Sequence, residues 1–259
     1  MARAEKRQRK KDRQRQRIEA EVREWRTRRR RRLAINLAVL AVVVGAIAFL
    51  VYRAARPDEE PKKKEATVAC DGKKPSRKEV GPFPEAPAMA IDQAKSYTAV
   101  LTTSCGVVEI ELADDVAPQT VNSFVFLARN GFFDGLNFHR LAEGFVLQGG
   151  DPEGSGSGGP GYQVVEAPPP ATEYPLGTVA MAKAGNEAAG TSGSQFFIVS
   201  GEGGAQLNGT PEQPALYALL GKVVNGLDVV AKMEKVGAKP QSENPRLPIY
   251  IDSITIRET

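Results

Sequence analysis

The stretch YTAVLTTSCGVVEIEL (97–112) decides the fold class. In its second half Val108, Ile110 and Leu112 alternate with Val107, Glu109 and Glu111, the period of a half-buried strand. Tyr97–Thr103 and Val107–Leu112, separated by Ser104-Cys105-Gly106, therefore read as a hairpin. The period then changes. In APQTVNSFVFLARNG (117–131), Val121, Phe124, Val125 and Ala128 share one helical face. Pro118 suits the first turn of that helix and Gly131 its stop. Short strands are expected around Phe138–Leu141, Phe145–Gln148, Thr178–Ala182 and Gln195–Val199. Leu227–Lys235 reads as a second helix, ending near Gly237, and the β-branched run Pro248–Arg257 closes the chain. Many short strands with two helices predict a mainly β fold, a closed antiparallel barrel capped by the helices.

The inventory of reactive side chains narrows the chemistry. With 41% apolar and 25% charged residues, wholesale disorder is excluded. One histidine and two cysteines cannot assemble the common zinc sites, and a Ser-His-Asp machine could draw only on His139. Gly154, Gly156 and Gly159 fit G-x-G-x-x-G, but Pro160 and then APPP follow, so no helix begins there. The pattern reads as a flexible loop. No G-x-S-x-G elbow is present.

The amino-terminal quarter is of another kind. Residues 1–32 hold 16 Lys/Arg against 5 Asp/Glu, a balance of +11, while the other residues balance at −7. LAINLAVLAVVVGAIAFLVY (33–52) is 20 residues without a charge, long enough as a helix to cross a bilayer of about 30 Å. A cleaved signal or a buried core helix are the competing readings. The first lacks a good cleavage site at Ala54-Ala55, and the second conflicts with apolarity on every face. A single transmembrane helix is therefore expected, with the Arg28–Arg32 run cytoplasmic and the body extracytoplasmic, on the cell membrane. The basic segment 1–32 either only fixes topology or also touches anionic lipid. Nucleic acid is a poorer fit, since only Trp25 offers a stacking surface. Residues 53–96, rich in Pro, Lys and Glu, read as an extended tether before a domain over 97–259. Cys70 and Cys105 are a disulfide candidate if the body lies outside, where thiols oxidise.

The blocks FHRLAEGFVLQGGDP (138–152) and SGSQFFIVSG (192–201) resemble the two signature blocks of the cyclophilin family of peptidyl-prolyl isomerases. IELADDVAPQTVNSFVFLARNGFFDGLNFHR upstream and ALLGKVVNGLDVVAKME downstream are similar to the family's first helix and second helix regions, so that the likeness covers roughly 97–257. It implies an eight-stranded antiparallel barrel with two capping helices. It also implies isomerase activity on proline-containing polypeptides with no cofactor or metal. The glycine-rich loop 153–161 is similar to bacterial members, which together with the apolar span suggests a bacterial, membrane-anchored isomerase.

By the same resemblance Arg140 takes the catalytic position, with His139 and Gln148 beside it. Gln195 is a second polar anchor. Phe145, Val146, Phe197 and Leu207 build the proline hollow with Tyr217 at its rim, and Ala182 and Lys183 line the peptide groove. Strand alternation agrees in putting Gln195, Phe197 and Val199 on one face and Phe196 and Ile198 on the other, in the core. Without the resemblance, Arg140 reads as a surface ion-pairing residue, His139 as structural and the aromatics as core. Several positions depart from the common pattern. Gln206 stands where many eukaryotic relatives carry tryptophan, which implies weak cyclosporin binding. Lys183 replaces a frequent asparagine, Tyr217 a histidine and Val146 a methionine, and TPEQP (210–214) reads as an insertion. A catalytically weak, cyclophilin-like module that only binds proline loops is the alternative.

Overall fold

The computed structural model describes residues 31, 40–49, 51 and 68–259. The chain divides into two units, 1–63 and 64–259. In the first, residues 40–49 are helical. Among the described residues no helix is long and apolar enough to cross a membrane. The expected span 33–52 falls partly, and the basic segment 1–32 almost wholly, outside them.

The second unit is built on a nine-stranded sheet and two α-helices. In chain order the strands are β1 (Tyr97–Thr103), β2 (Gly106–Leu112), β3 (Asn137–Phe138), β4 (Arg140–Ala142), β5 (Val146–Gly149), β7 (Thr178–Met181), β9 (Phe196–Val199), β10 (Leu219–Asn225) and β11 (Ile249–Glu258). The short strands β6 (Val164–Val165) and β8 (Thr191–Ser192) pair apart from it. The helices are α1 (Pro118–Arg129) and α2 (Leu227–Glu234). The sheet order is β3-β11-β1-β2-β10-β7-β9-β5-β4, and every pairing is antiparallel. Its two edges, β3 and β4, are neighbours in sequence, so the sheet curls round into a nearly closed barrel. This is nine strands where eight were expected, because the segment 137–142 is split at His139. Before His139 it pairs with β11, and after it with β5.

Alternation along the strands fills the interior. Tyr97, Ala99 and Leu101 of β1 and Val108, Ile110 and Leu112 of β2 point inward, as the hairpin pattern requires. α1 lays Val121, Phe124, Val125 and Ala128 onto this core. The Phe124 ring packs 5.0 Å from Phe133 and edge-on to Phe196 at 5.8 Å, so the helix is pinned to β9 by aromatic contacts. α2 packs against β2 and buries Val230 and Met233.

The expected tether must be corrected. Residues 68–96 lie on the barrel rather than extending away from it. Ala69 and Ile91 are in its core, and Val80 and Phe83 pack against it. The segment is fastened along its length. Ala69 N–H donates to Pro248 O at 3.0 Å. Asn122 Oδ1 accepts from the N–H groups of Ala90 and Ile91, and Ser96 and Thr259 exchange backbone hydrogen bonds. The domain boundary therefore falls before residue 68, not at 97. Composition misled here because a few apolar anchors suffice to hold a segment otherwise rich in Pro, Lys and Glu.

Cys70 and Cys105 are joined as a disulfide, Cα to Cα 5.0 Å, tying this segment to the β1–β2 turn across 35 residues of sequence. A loop of that length is expected to contribute about 3–4 kcal/mol by restricting the unfolded chain. The Cys70→Ser/Cys105→Ser variant should lose about that much in urea denaturation. Wild type under reductant should show the same loss, and an unchanged midpoint would show that the bond adds nothing.

Candidate functional site

The site forms where four neighbouring strands, β7, β9, β5 and β4, present their outward faces. Leu141, Leu147, Val179 and Ile198 belong to the barrel core. The residues between them must therefore face outward. Register then makes rows of them: Arg140 opposite Gln148, Gln148 opposite Phe197, Phe197 opposite Ala180; and Ala142 opposite Val146, Val146 opposite Val199. An apolar cluster separate from the core gathers on this face. It holds Ala142, Val146, Tyr174, Ala180, Phe197 and Val199, with Phe145, Ala182, Leu207 and Tyr217 half-buried around it. All the residues expected to form the hollow are in this one cluster. Val146 is 1% and Phe197 4% exposed, so they are floor, whereas Phe145, Leu207 and Tyr217 are wall and rim.

The walls are braced. The 3₁₀ turn Glu202–Leu207 delivers Leu207, and its Gly203 sits on Gly144 and Phe145 where a Cβ would meet Gly144 O at 2.7 Å. Tyr217 stands edge-on to Phe197 at 5.3 Å. Its carbonyl accepts from Tyr174 Oη at 2.6 Å. Burial pushes the Tyr174 phenol up to about 12, which keeps it a donor at any physiological pH.

A polar relay runs along the edge of the hollow. Arg140 Nη1 donates to Gln148 Oε1 at 3.2 Å, Gln148 Nε2 to Gln195 Oε1 at 3.0 Å, and Gln195 Nε2 to Gly158 O at 2.9 Å. On its other side Arg140 donates through Nε and Nη2 to Glu243, at 2.6 and 3.4 Å. The guanidinium is therefore held at both ends, 6.0 Å from the centre of the Phe145 ring. An arginine fixed next to an apolar floor can hold a peptide carbonyl and favour a lone pair that develops on a neighbouring nitrogen.

His139 is buried beneath the glycine-rich loop, and neither ring nitrogen has a hydrogen-bond partner. Of the two roles open to His139, pocket wall or hydrogen-bonding residue, its ring makes no hydrogen bond here and it packs under the loop. Burial pushes its imidazole below the ordinary value. The Asp151 carboxylate pulls the other way, and the Arg140 charge adds to the lowering. The Lys183 side chain is tied to nearby backbone. Its Nζ donates to the carbonyls of Ala184 and Glu187, at 3.0 Å each, and lies 6.0 Å from the Tyr217 ring centre. Ala182 contributes backbone: its N–H donates to Gln195 O at 2.9 Å.

Three contributors went unread in the sequence. Glu243 lies 103 residues beyond Arg140, and no local pattern links them. Tyr174 reads as one aromatic in a proline-rich connection. The loop 153–161 was expected to be flexible, yet the Asp151 carboxylate fastens it by accepting from Glu153 N–H at 2.8 Å and from Gly156 N–H. The Asp before the glycines was the available signal, since Asp commonly bonds the backbone two residues on. Beyond Gln148 and Gln195 this loop borders a groove of about 750 Å³, lined also by Lys183, Glu187, Tyr162 and Pro82.

Comparison with known proteins agrees with this geometry. Residues 98–256, more than half the chain, match the family model described as cyclophilin type peptidyl-prolyl cis-trans isomerase/CLD. The chain is 45% identical over 129 residues to peptidyl-prolyl cis-trans isomerase B of Bacillus subtilis, covering 49% of this chain and 82% of that one. It is 37% identical over 177 residues to peptidyl-prolyl cis-trans isomerase A of Mycobacterium tuberculosis, covering 61% and 91%. The match to peptidyl-prolyl cis-trans isomerase-like 2 of Cryptococcus neoformans is 35% identical and spans only 28% of that longer protein. Among solved structures, a Cryptosporidium parvum cyclophilin type peptidyl-prolyl cis-trans isomerase, in the presence of the dipeptide Ala-Pro, superimposes with a TM-score of 0.54 at 29% identity, covering 62% of this chain and 99% of that one. The chain belongs to the cyclophilin-type peptidyl-prolyl cis-trans isomerase family.

Proposed function

We propose that the barrel accelerates cis/trans rotation of X–Pro bonds in proteins outside the cytoplasm, held at the cell membrane by residues 33–52. One observation carries the catalytic part: the Arg140 guanidinium is fixed between Gln148 and Glu243 beside the floor of Val146 and Phe197. Rotation about X–Pro crosses about 18–20 kcal/mol because the amide loses resonance as it twists. No bond to the enzyme is needed. A site that grips the twisted form more tightly than either planar form accelerates both directions. An acceleration of about 10⁵ needs a preference of about 7 kcal/mol. The hollow takes the proline ring, and the arginine favours the pyramidal nitrogen that appears only in the twisted form. Gln148 and Gln195 hold the adjoining peptide groups. The Ala-Pro dipeptide named with the Cryptosporidium parvum neighbour supports a proline-containing peptide as the ligand.

The placement rests on sequence and on the cysteines. The Arg28–Arg32 run before an uncharged stretch favours a cytoplasmic amino terminus, with 1–32 against anionic lipid. A disulfide between the only two cysteines fits an oxidising compartment. Proteins folding there meet uncatalysed proline steps of tens of seconds, which gives such an enzyme its substrates. Gln206 is exposed beside Phe145, and weak cyclosporin binding follows from the missing indole.

Four measurements test these readings. Arg140→Ala should lower kcat/KM for a proline tetrapeptide by about 10²–10³. Equal rates for variant and wild type would overturn the enzyme reading, and peptide binding without turnover in both would favour the binding module. The rate should be flat between about pH 6.5 and 8, because arginine stays charged and His139, with its pKa lowered, stays neutral. Stability should be full above the ordinary histidine value and decline below it, where the unfolded chain takes up a proton that the folded chain resists. A rate limb near pH 6.5 that disappears in His139→Gln would overturn this. A reporter joined after Thr259 should be active only outside the cytoplasm; activity inside would reverse the topology.

A further inference from the structure

The groove beyond Gln195 has a wall that does not come from the family's part of the chain. The family match begins at residue 98, yet Pro82 lines this groove together with Gln148, Gln195 and Lys183. Its neighbour Phe83 anchors it. The Phe83 ring packs edge-on to Phe126 of α1 at 4.9 Å and lies 6.5 Å from Phe132, while Phe83 N–H donates to Pro160 O at 2.7 Å. The seam with the glycine-rich loop is tight. A Cβ on Gly161 would lie 2.5 Å from Phe83 O and 2.8 Å from Pro82 Cβ, and φ there is +97°. Only glycine allows the approach.

The loop is thus fastened twice. Asp151 holds its start, Phe83 holds its end, and between them Gly158 O accepts from Gln195 Nε2. The segment carrying Phe83 is itself fixed upstream by the Cys70–Cys105 bond and downstream by Asn122. Resting on the isomerase reading of the site, we propose that Pro82 and Phe83 are specificity-determining residues. Pro82 is the outer wall for the side chain that a bound peptide places beyond Gln195, and Phe83 sets the loop that forms the floor there. An extended chain with a bulky apolar side chain at that place gains contact with the Pro82 ring, whereas glycine there gains none.

The test uses the full chain and three proline tetrapeptides carrying glycine, leucine or phenylalanine at the end away from the proline hollow. Wild type should favour leucine and phenylalanine over glycine, chiefly through KM. Phe83→Ala should raise KM for the bulky peptides by about threefold to tenfold, leave kcat within about twofold and flatten the preference. Gly161→Ala, which opens the same seam from the loop side, should do the same, and the double variant should be no worse than the worse single. A folded Phe83→Ala protein with wild-type KM values and preference would overturn the proposal. If that variant does not fold, Pro82→Ala removes the wall without the anchor; loss of preference supports the proposal and an unchanged preference overturns it. Should wild type show no turnover at all, the isomerase reading fails. The wall is then judged by peptide binding in a fluorescence titration, where a preference flattened by Pro82→Ala supports it and an unaltered one overturns it.

Discussion

Strand alternation across β4, β5 and β9 is the constraint on which the rest depends. Leu141, Leu147, Phe196 and Ile198 point into the barrel, so Arg140, Val146, Gln148 and Phe197 have nowhere to go but outward. The site inherits its precision from the core. Shifting Arg140 relative to Phe197 by one residue would turn buried leucines and phenylalanines out to water, and each such side chain is worth about 1.5–3 kcal/mol of burial. Outward groups on rigid strands are therefore placed more tightly than groups on a loop would be. That suits the proposed catalysis, which has no covalent step and works through the shape and charge of what surrounds the twisted bond.

The charge needs its own explanation. Arg140 is tied to Glu243, a carboxylate that opposes the cation on which the proposed catalysis draws. Two features limit that opposition. Both side chains are part-exposed, and an ion pair in that setting contributes only about 0–1 kcal/mol. A guanidinium also has more N–H donors than its contacts to Glu243 and Gln148 occupy, so among the described residues its Nη1–Nη2 edge keeps donors for the proposed contact to a peptide carbonyl. Glu243 is better understood as a splint. A free arginine side chain has rotamer freedom to lose on binding, and the carboxylate together with Gln148 removes that loss beforehand.

What was legible in the sequence was local. The β1–β2 hairpin, α1 and the inward-outward assignment of Gln195 to Val199 follow from periods of two and 3.6 that need only near neighbours. β10 was missed although Asn225-Gly226 marks the turn between it and α2, because its short run is interrupted by Gly221 and Lys222 and does not declare its own type. The whole of 68–96 was misread for a related reason. Its anchors, Ala69, Phe83 and Ile91, are too sparse to show a period, and their partners lie on α1 and on the far ends of the chain. Glu243 was illegible in principle, since a pairing across 103 residues exists only once the barrel has closed.

That closure also accounts for where Arg140 sits. The segment 137–142 begins as a partner of β11 and ends as a partner of β5, and the exchange takes place at His139. A residue at such a crossing cannot keep regular ladder bonds on both sides. His139 keeps one, its N–H donating to Gln148 O at 3.1 Å, and its ring is turned under the loop that Asp151 organises. Arg140 is the first residue after the exchange, where the outward face resumes. The seam of the barrel is thus the place where a strand end, a glycine-rich loop and the turn bearing Glu243 converge without distorting a regular sheet. The proposed function would occupy the seam because an irregular, polar arrangement there interrupts no regular ladder between β3 and β4.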